Sequence, residues 1–191
     1  MSELMDVQKK ALEIANALSE NSPRQLLVDG APGCGKSAIA PLIFPILRRK
    51  AICEKVIILT PNNALAEQGQ AQFAASWIQA ITGEANSINR CTSCINPSRN
   101  TAGIITTYQA VAADAARLFE YELLKTDYAI FADECHHIRR NGAFHKAMQG
   151  LWDLAKYRVM LSGTLYRSDR SPIAFLPYLN EITQEKSIET E

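Results

Sequence analysis

Five short apolar runs, each stopping where small or polar residues begin, restrict this chain more than any other feature. They cover residues 25–29, 55–60, 103–106, 128–132 and 158–161. Each is continuous rather than alternating, which is the mark of a strand buried on both faces. Helical patterns fall around them at 2–19, 36–49, 61–81, 108–124 and 143–155, with a long polar loop at 82–102. Strands alternating with helices predict an α/β fold, a mainly parallel sheet covered by helices on both faces. In such sheets chemistry gathers beyond the carboxyl ends of the strands. The runs end at Gly30, Thr60, Thr106, Asp133 and Ser162, so these positions are the first place to look for a site.

The first run opens directly into Gly30-Ala31-Pro32-Gly33-Cys34-Gly35-Lys36-Ser37, which matches G-x-x-x-x-G-K-[ST] in full. The chain context, strand then turn then helix, is the one this pattern requires. Glycines let backbone N–H groups turn inward around a polyphosphate, and the helix amino end adds partial positive charge. Lys36 is placed to neutralise phosphate and the Ser37 hydroxyl to ligate Mg²⁺. Residues 30–38, closing on Ala38, are therefore the expected nucleotide-binding segment. Pro41 and Pro45 fall in the helix that follows, which predicts a kinked or early-ending helix.

The fourth run ends in Asp133-Glu134. A carboxylate there can hold Mg²⁺ opposite Ser37, and its neighbour can orient and deprotonate a water. Adjacent residues inside a strand point to opposite faces. At a strand end, where the chain turns, both can face the same ligand.

The longer string Asp133-Glu134-Cys135-His136 resembles motif II of the DExH group of superfamily 2 helicases and translocases. Other stretches follow in that family's order. Residues 60–65, TPNNAL, look like motif Ia, Thr106-Thr107-Tyr108-Gln109 resembles motif Ic, and Ser162-Gly163-Thr164 is similar to motif III. TTYQ and SGTLYRSD are similar to the branch that includes type III restriction subunits. The resemblance spans residues 8 to 170. It implies a RecA-like P-loop NTPase domain over 1–170, with 171–191 an extension toward a second motor domain.

The resemblance also assigns roles. Lys36, Asp133, Glu134 and His136 would be catalytic, with Gln8 the adenine-reading glutamine and ATP and Mg²⁺ the cofactors. Pro61, Asn62, Thr106 and Thr107 would grip the phosphates of a DNA or RNA strand. Ser162, Gly163 and Thr164 would couple the two events, His136 joining motif III to the γ-phosphate side. The family's motor holds ATP between two RecA-like domains, and the second supplies an arginine finger. Arg167 and Arg170 are poor substitutes, so this chain is expected to need a second domain in cis or in trans and to be a monomer by itself. Two other readings remain: a P-loop ATPase switch without nucleic acid, and a non-catalytic nucleotide-binding module.

Composition narrows the partners. Lys and Arg number 20 against 20 Asp and Glu. A neutral chain does not coat nucleic acid through bulk charge, so any contact must be local. Backbone amides and small hydroxyls suit that task. No apolar run reaches the roughly eighteen residues of a membrane helix, and no signal peptide is expected. The five cysteines are scattered and odd in number, which fits an intracellular setting, cytoplasmic or nucleoid or nuclear. Cys91 and Cys94 form half a zinc knuckle without a second ligand pair, so no stable zinc site is expected. Trp77 and Trp152 sit in helical patterns and are expected in the core.

Overall fold

A computed structural model describes residues 4–90, 101–118 and 126–176. Cys91, Cys94 and the expected frayed carboxyl end from 177 lie outside the described residues. Six strands form one sheet: β1 (Gln25–Asp29), β2 (Lys55–Thr60), β3 (Asn89–Arg90), β4 (Gly103–Thr107), β5 (Tyr128–Asp133) and β6 (Tyr157–Ser162). All pairings are parallel and the order is β1-β6-β5-β2-β4-β3. The five apolar runs are thus strands within one residue of their expected ends. The sixth, β3, is a two-residue edge strand inside the stretch expected to be a loop.

The sheet is covered on both sides because its strands alternate between two cores. Val56, Ile58, Ala129, Phe131, Val159 and Leu161 face one way. There they meet α1 (Asp6–Ala17), α2 (Ile39–Arg49), α3 (Asn63–Phe73) and α4 (Ser76–Thr82). Ile57, Leu59, Ile130, Ala132 and Met160 face the other way, against α5 (Tyr108–Leu118) and α6 (Ala143–Leu154).

Two helices depart from their patterns. The helix after the glycine turn begins as a 3-10 turn, Lys36–Ala38, and continues as α2 to Arg49 without ending early. Pro41 sits in the first turn of α2, where no intrahelical donor is needed. Pro45 lies inside the helix, and the cost of its missing amide is offset by burial, since every residue from Ile39 to Leu47 is buried. The stretch expected as one helix at 61–81 is two, broken at Ala74 and Ala75.

The chain after β6 returns to the second core. Ile173, Ala174 and Leu176 are buried there, and Ile173 bridges Arg139. Phe175 stacks on Trp152 at 4.5 Å, and its carbonyl accepts from Gln25 Nε2 at 3.0 Å. Trp152 is a core residue, as its pattern implies, and Trp77 packs against the first core.

Candidate nucleotide site

Three neighbouring strands deliver the motif residues to one edge of the sheet. Asp29 of β1 is in register with Ser162 of β6, and Leu161 of β6 with Asp133 of β5. The ladder continues past β1, where Gly30 N donates to Ser162 O at 3.1 Å. The loops carrying Gly30–Ser37, Asp133–His136 and Ser162–Thr164 therefore leave the sheet side by side.

The glycine loop is shaped from within. Lys36 is buried, and its ammonium donates to the carbonyls of Gly30 (2.5 Å) and Ala31 (3.1 Å). A buried charge needs such partners. Gly35 has φ +82°, a backbone state that disfavours side chains, and a Cβ there would lie 2.3 Å from Gln8 Nε2. Gln8 is itself buried: its Nε2 donates to Gly35 O at 3.0 Å and its Oε1 accepts from Met5 N at 3.0 Å. Gln8 thus ties α1 to the loop through its Nε2, while its Oε1 caps the start of its own helix at Met5. Reading an adenine would require exchanging these bonds. Ala31, Pro32 and Gly33 are exposed, Cys34 and Ser37 half-buried, and Ala38 buried.

The carboxylate pair is divided by the turn at the end of β5. Asp133 is buried, and its Oδ1 accepts from Glu134 N at 3.0 Å. Burial and then the neighbouring Glu134 charge push its carboxyl up to about 6. Lys36 pulls the other way. Glu134 adopts a left-handed conformation, φ 50° and ψ 51°, and starts the 3-10 turn Cys135–His137. A non-glycine residue there stores about 1–3 kcal/mol of strain. The turn leaves Glu134 half-buried beside His136, whose Nδ1 is 3.3 Å from Glu134 Oε2. Cys135 is buried, its thiol pushed up to about 12 by burial. It is a packed residue without nucleophile character.

Motif III closes the site. His136 Nδ1 and Ser162 Oγ are 3.0 Å apart. Ser162 Oγ donates to Thr164 O at 2.6 Å and accepts from Thr164 N at 3.1 Å. His136 is held below the usual histidine range by burial and then by His137, so the neutral ring is the form that meets Ser162. A Cβ on Gly163 would sit 3.3 Å from Gly30 O and 3.7 Å from Lys36 Nζ. Motif III therefore lies directly against the glycine loop. Arg167 donates to His136 O at 2.5 Å, to Ser171 Oγ at 2.9 Å and to Asp169 Oδ1 at 3.1 Å. Its guanidinium ties the segment after motif III to the 3-10 turn.

The motif Ia and Ic residues gather beside this cluster, at the ends of β2 and β4. Asn62 caps α3, its Oδ1 accepting from Leu65 N at 3.0 Å. Thr107 Oγ1 accepts from Ala110 N at 3.1 Å in the first turn of α5. Thr60 Oγ1 donates to the carbonyls of Asn62 and Thr106, joining the two stretches. Asn62 is exposed and Pro61 and Thr107 are half-buried, whereas Thr106 is buried. These capping roles are local chemistry that the family pattern does not announce, although Asn before an Ala/Leu-rich run signals them.

Among the described residues no group of three or more His, Cys, Asp or Glu could form a metal site. The Asp133 carboxyl is buried at the carboxyl end of β5, and a lone carboxylate suits a cation whose other ligands come from a polyphosphate. The opposite end of the sheet carries a cleft of about 850 Å³ between Ser19, Arg24, Lys50, Asp127 and Lys156, which contains none of the motif residues.

A parallel sheet with a glycine loop, a carboxylate turn and a serine loop on adjacent strands defines a RecA-like helicase domain. A family model for the type III restriction enzyme res subunit matches residues 1–167, and the chain belongs to that family, within the superfamily 2 helicases. It is 31% identical over 159 residues to an uncharacterized protein of Mycobacterium tuberculosis and 28% identical over 160 residues to one of Mycobacterium leprae. These alignments cover 82% and 83% of this chain but 25% of each relative, so the chain spans about a quarter of their length. The fold is similar to the UvsW helicase of bacteriophage T4, with TM-score 0.61, 19% identity, and coverage of 86% of this chain and 54% of that one. It is similar too to the type ISP restriction-modification enzyme LlaGI in complex with a DNA substrate mimic, with TM-score 0.62, 20% identity, and 91% and 19% coverage. A third likeness is the Sulfolobus solfataricus SWI2/SNF2 ATPase core in complex with dsDNA, with TM-score 0.59, 18% identity, and 85% and 32% coverage. Among the described residues no helix is long and apolar enough to cross a membrane.

Proposed function

We propose that this chain is the ATP-binding half of a nucleic-acid motor, which hydrolyses ATP in concert with a second RecA-like domain and moves along DNA. The observation that supports it most is the convergence of Lys36, Asp133, Glu134, His136 and Ser162 at the ends of three hydrogen-bonded strands. In this reading Lys36 exchanges the Gly30 and Ala31 carbonyls for phosphate oxygens. Ser37 and Asp133 hold Mg²⁺, which neutralises phosphate charge when bound. Glu134 takes the proton of the attacking water, and the neutral His136 links it to Ser162. Ser162, Gly163 and Thr164 of motif III carry the state of the phosphate site toward the strand-facing residues. Gln8, Gly30–Gly35 and Ala38 shape the nucleotide cradle.

Pro61, Asn62, Thr106 and Thr107 form the strand-facing side. Two helices, α3 and α5, begin there, and helix amino ends attract phosphate. The choice of DNA rests on two structural relatives whose complexes contain it. A nucleic-acid-independent switch is the second reading, and it differs in one measurable respect. Titrating a labelled single-stranded oligonucleotide at several salt concentrations should show affinity falling as salt rises, because phosphate contacts release counterions. Calorimetry with Mg·ATP should show binding that Lys36→Ala removes. Equal nucleotide affinity in both proteins would refute the proposal. Nucleotide binding without any oligonucleotide binding would leave the switch.

A further inference from the structure

Tyr108 occupies a position that the motif pattern leaves without a role. It is the first residue of α5, directly after Thr106 and Thr107, and it is fully buried. Its ring stacks on Phe144 of α6 with centroids 5.8 Å apart. Its hydroxyl donates to the carbonyl of Asp133 at 2.5 Å. Strands β4 and β5 are not neighbours, because β2 lies between them. With strands about 4.8 Å apart, the side chain reaches across two strand spacings.

The carbonyl it holds belongs to the peptide that leads into Glu134. Asp133 Oδ1 holds the N–H of the same peptide. Both polar ends of this one peptide plane are therefore fixed, one by Tyr108 and one by Asp133. The next residue is Glu134, in its left-handed conformation. Rotation of the plane would release that conformation and re-aim the Glu134 side chain. Burial keeps the phenol protonated, well above the usual tyrosine range, so it remains a donor.

We infer that Tyr108 is a positioning residue that couples strand binding at Thr106–Thr107 to the aim of Glu134, through its hydroxyl bond to the Asp133 carbonyl. The inference rests on the proposed function. A strand that draws on the β4–α5 junction displaces the Tyr108 backbone. The stacked ring transmits the shift as a lever, and the 133–134 peptide turns with it. By linkage the effect is reciprocal: nucleotide at the carboxylate end changes strand affinity by the factor with which strand changes nucleotide affinity.

The test measures that factor. Oligonucleotide affinity is determined with and without a non-hydrolysable ATP analogue and Mg²⁺, in the unsubstituted chain and in Tyr108→Phe. Allosteric factors are commonly about 5–150-fold. The unsubstituted chain should fall in that range and Tyr108→Phe should fall below about 2-fold, with each separate affinity retained. Tyr128→Phe is the matched control, since Tyr128 is also buried and its hydroxyl donates to a carbonyl, that of Leu151, at 2.5 Å. It loses an equivalent bond away from the site and should keep the coupling. If Tyr108→Phe does not fold, hydrogen exchange on the unsubstituted chain decides. Oligonucleotide alone should change exchange at residues 133–137, and no change there would overturn the inference. Coupling that survives in Tyr108→Phe, or is absent from an unsubstituted chain that binds both ligands, would overturn it as well. An unsubstituted chain that binds neither ligand would instead refute the proposed function, and this inference with it.

Discussion

Asp133→Asn should make the protein more stable in the absence of nucleotide and divalent cation. Burial and the Glu134 charge raise the Asp133 carboxyl from 3.8 to about 6. In the unfolded chain the group has its ordinary value, so folding at neutral pH must hold an ionised carboxylate where the neutral form is preferred. One unit corresponds to about 1.4 kcal/mol, so the penalty is about 3 kcal/mol at pH 7.5. The sign follows from the raised value. The favourable, protonated form is fully present below about 4 and is lost as pH rises through about 6. Asparagine removes the charge and keeps an oxygen to accept from Glu134 N. The gain over aspartate should be about 3 kcal/mol at pH 7.5, about half of that at pH 5, and near zero below pH 4. For a domain of this size the neutral-pH gain corresponds to about 6–12 °C in Tm. The assay is urea or thermal unfolding of both proteins in chelator across this pH range. A variant less stable than the parent at pH 7.5, or an advantage that does not shrink with acid, would refute the argument.

Other outcomes follow from the same geometry. Glu134→Gln should retain ATP binding in calorimetry while turnover in a phosphate-release assay falls to background. Residues 1–191 alone should hydrolyse ATP slowly, because an arginine finger from another domain is worth about 10³–10⁵ in rate in related P-loop enzymes. Steady-state assays with and without a second RecA-like domain would show the difference. Gly103→Ala should destabilise by about 3 kcal/mol in urea unfolding, since its Cβ would fall 1.8 Å from the Val56 carbonyl oxygen across the β2–β4 pair. Asn62→Ala should cost about 1 kcal/mol through loss of the α3 cap, and its oligonucleotide affinity tests whether the same residue also meets a strand.

The fold was legible because its strands are buried on both faces. Such strands need continuous apolar runs, and residues 55–60 or 128–132 leave no other use for their side chains. The glycine loop was legible because its backbone has few alternatives, as Gly35 illustrates. Contacts that join distant segments were not legible. Nothing local in Gln8 indicates that both ends of its amide are used on Met5 and Gly35. Tyr108 reads as an ordinary helix start until β2 is seen between β4 and β5. The four apolar residues Ile173–Leu176 complete the second core, but a run this short, set between Pro172 and Pro177 after a polar stretch, carries no helical or strand period that would announce it. The break at Ala74 and Ala75 carries no local signal, because alanine favours helix.

In the proposed motor, the register between β1, β6 and β5 limits how the domain could perform work. Their three loops are mounted on consecutive rungs of one hydrogen-bonded ladder, so no pair of them can slide apart without breaking the sheet. The domain is a fixed anvil. The stroke of the proposed motor would be taken up by pivots beyond the strand ends, such as the left-handed residue Glu134 or the bend at Gly163 and Thr164, and by displacement against another body. Mutational screens for altered stroke should therefore yield substitutions in those bends, while changes at the buried apolar positions inside the strands, such as Ile58 and Phe131, should alter only stability.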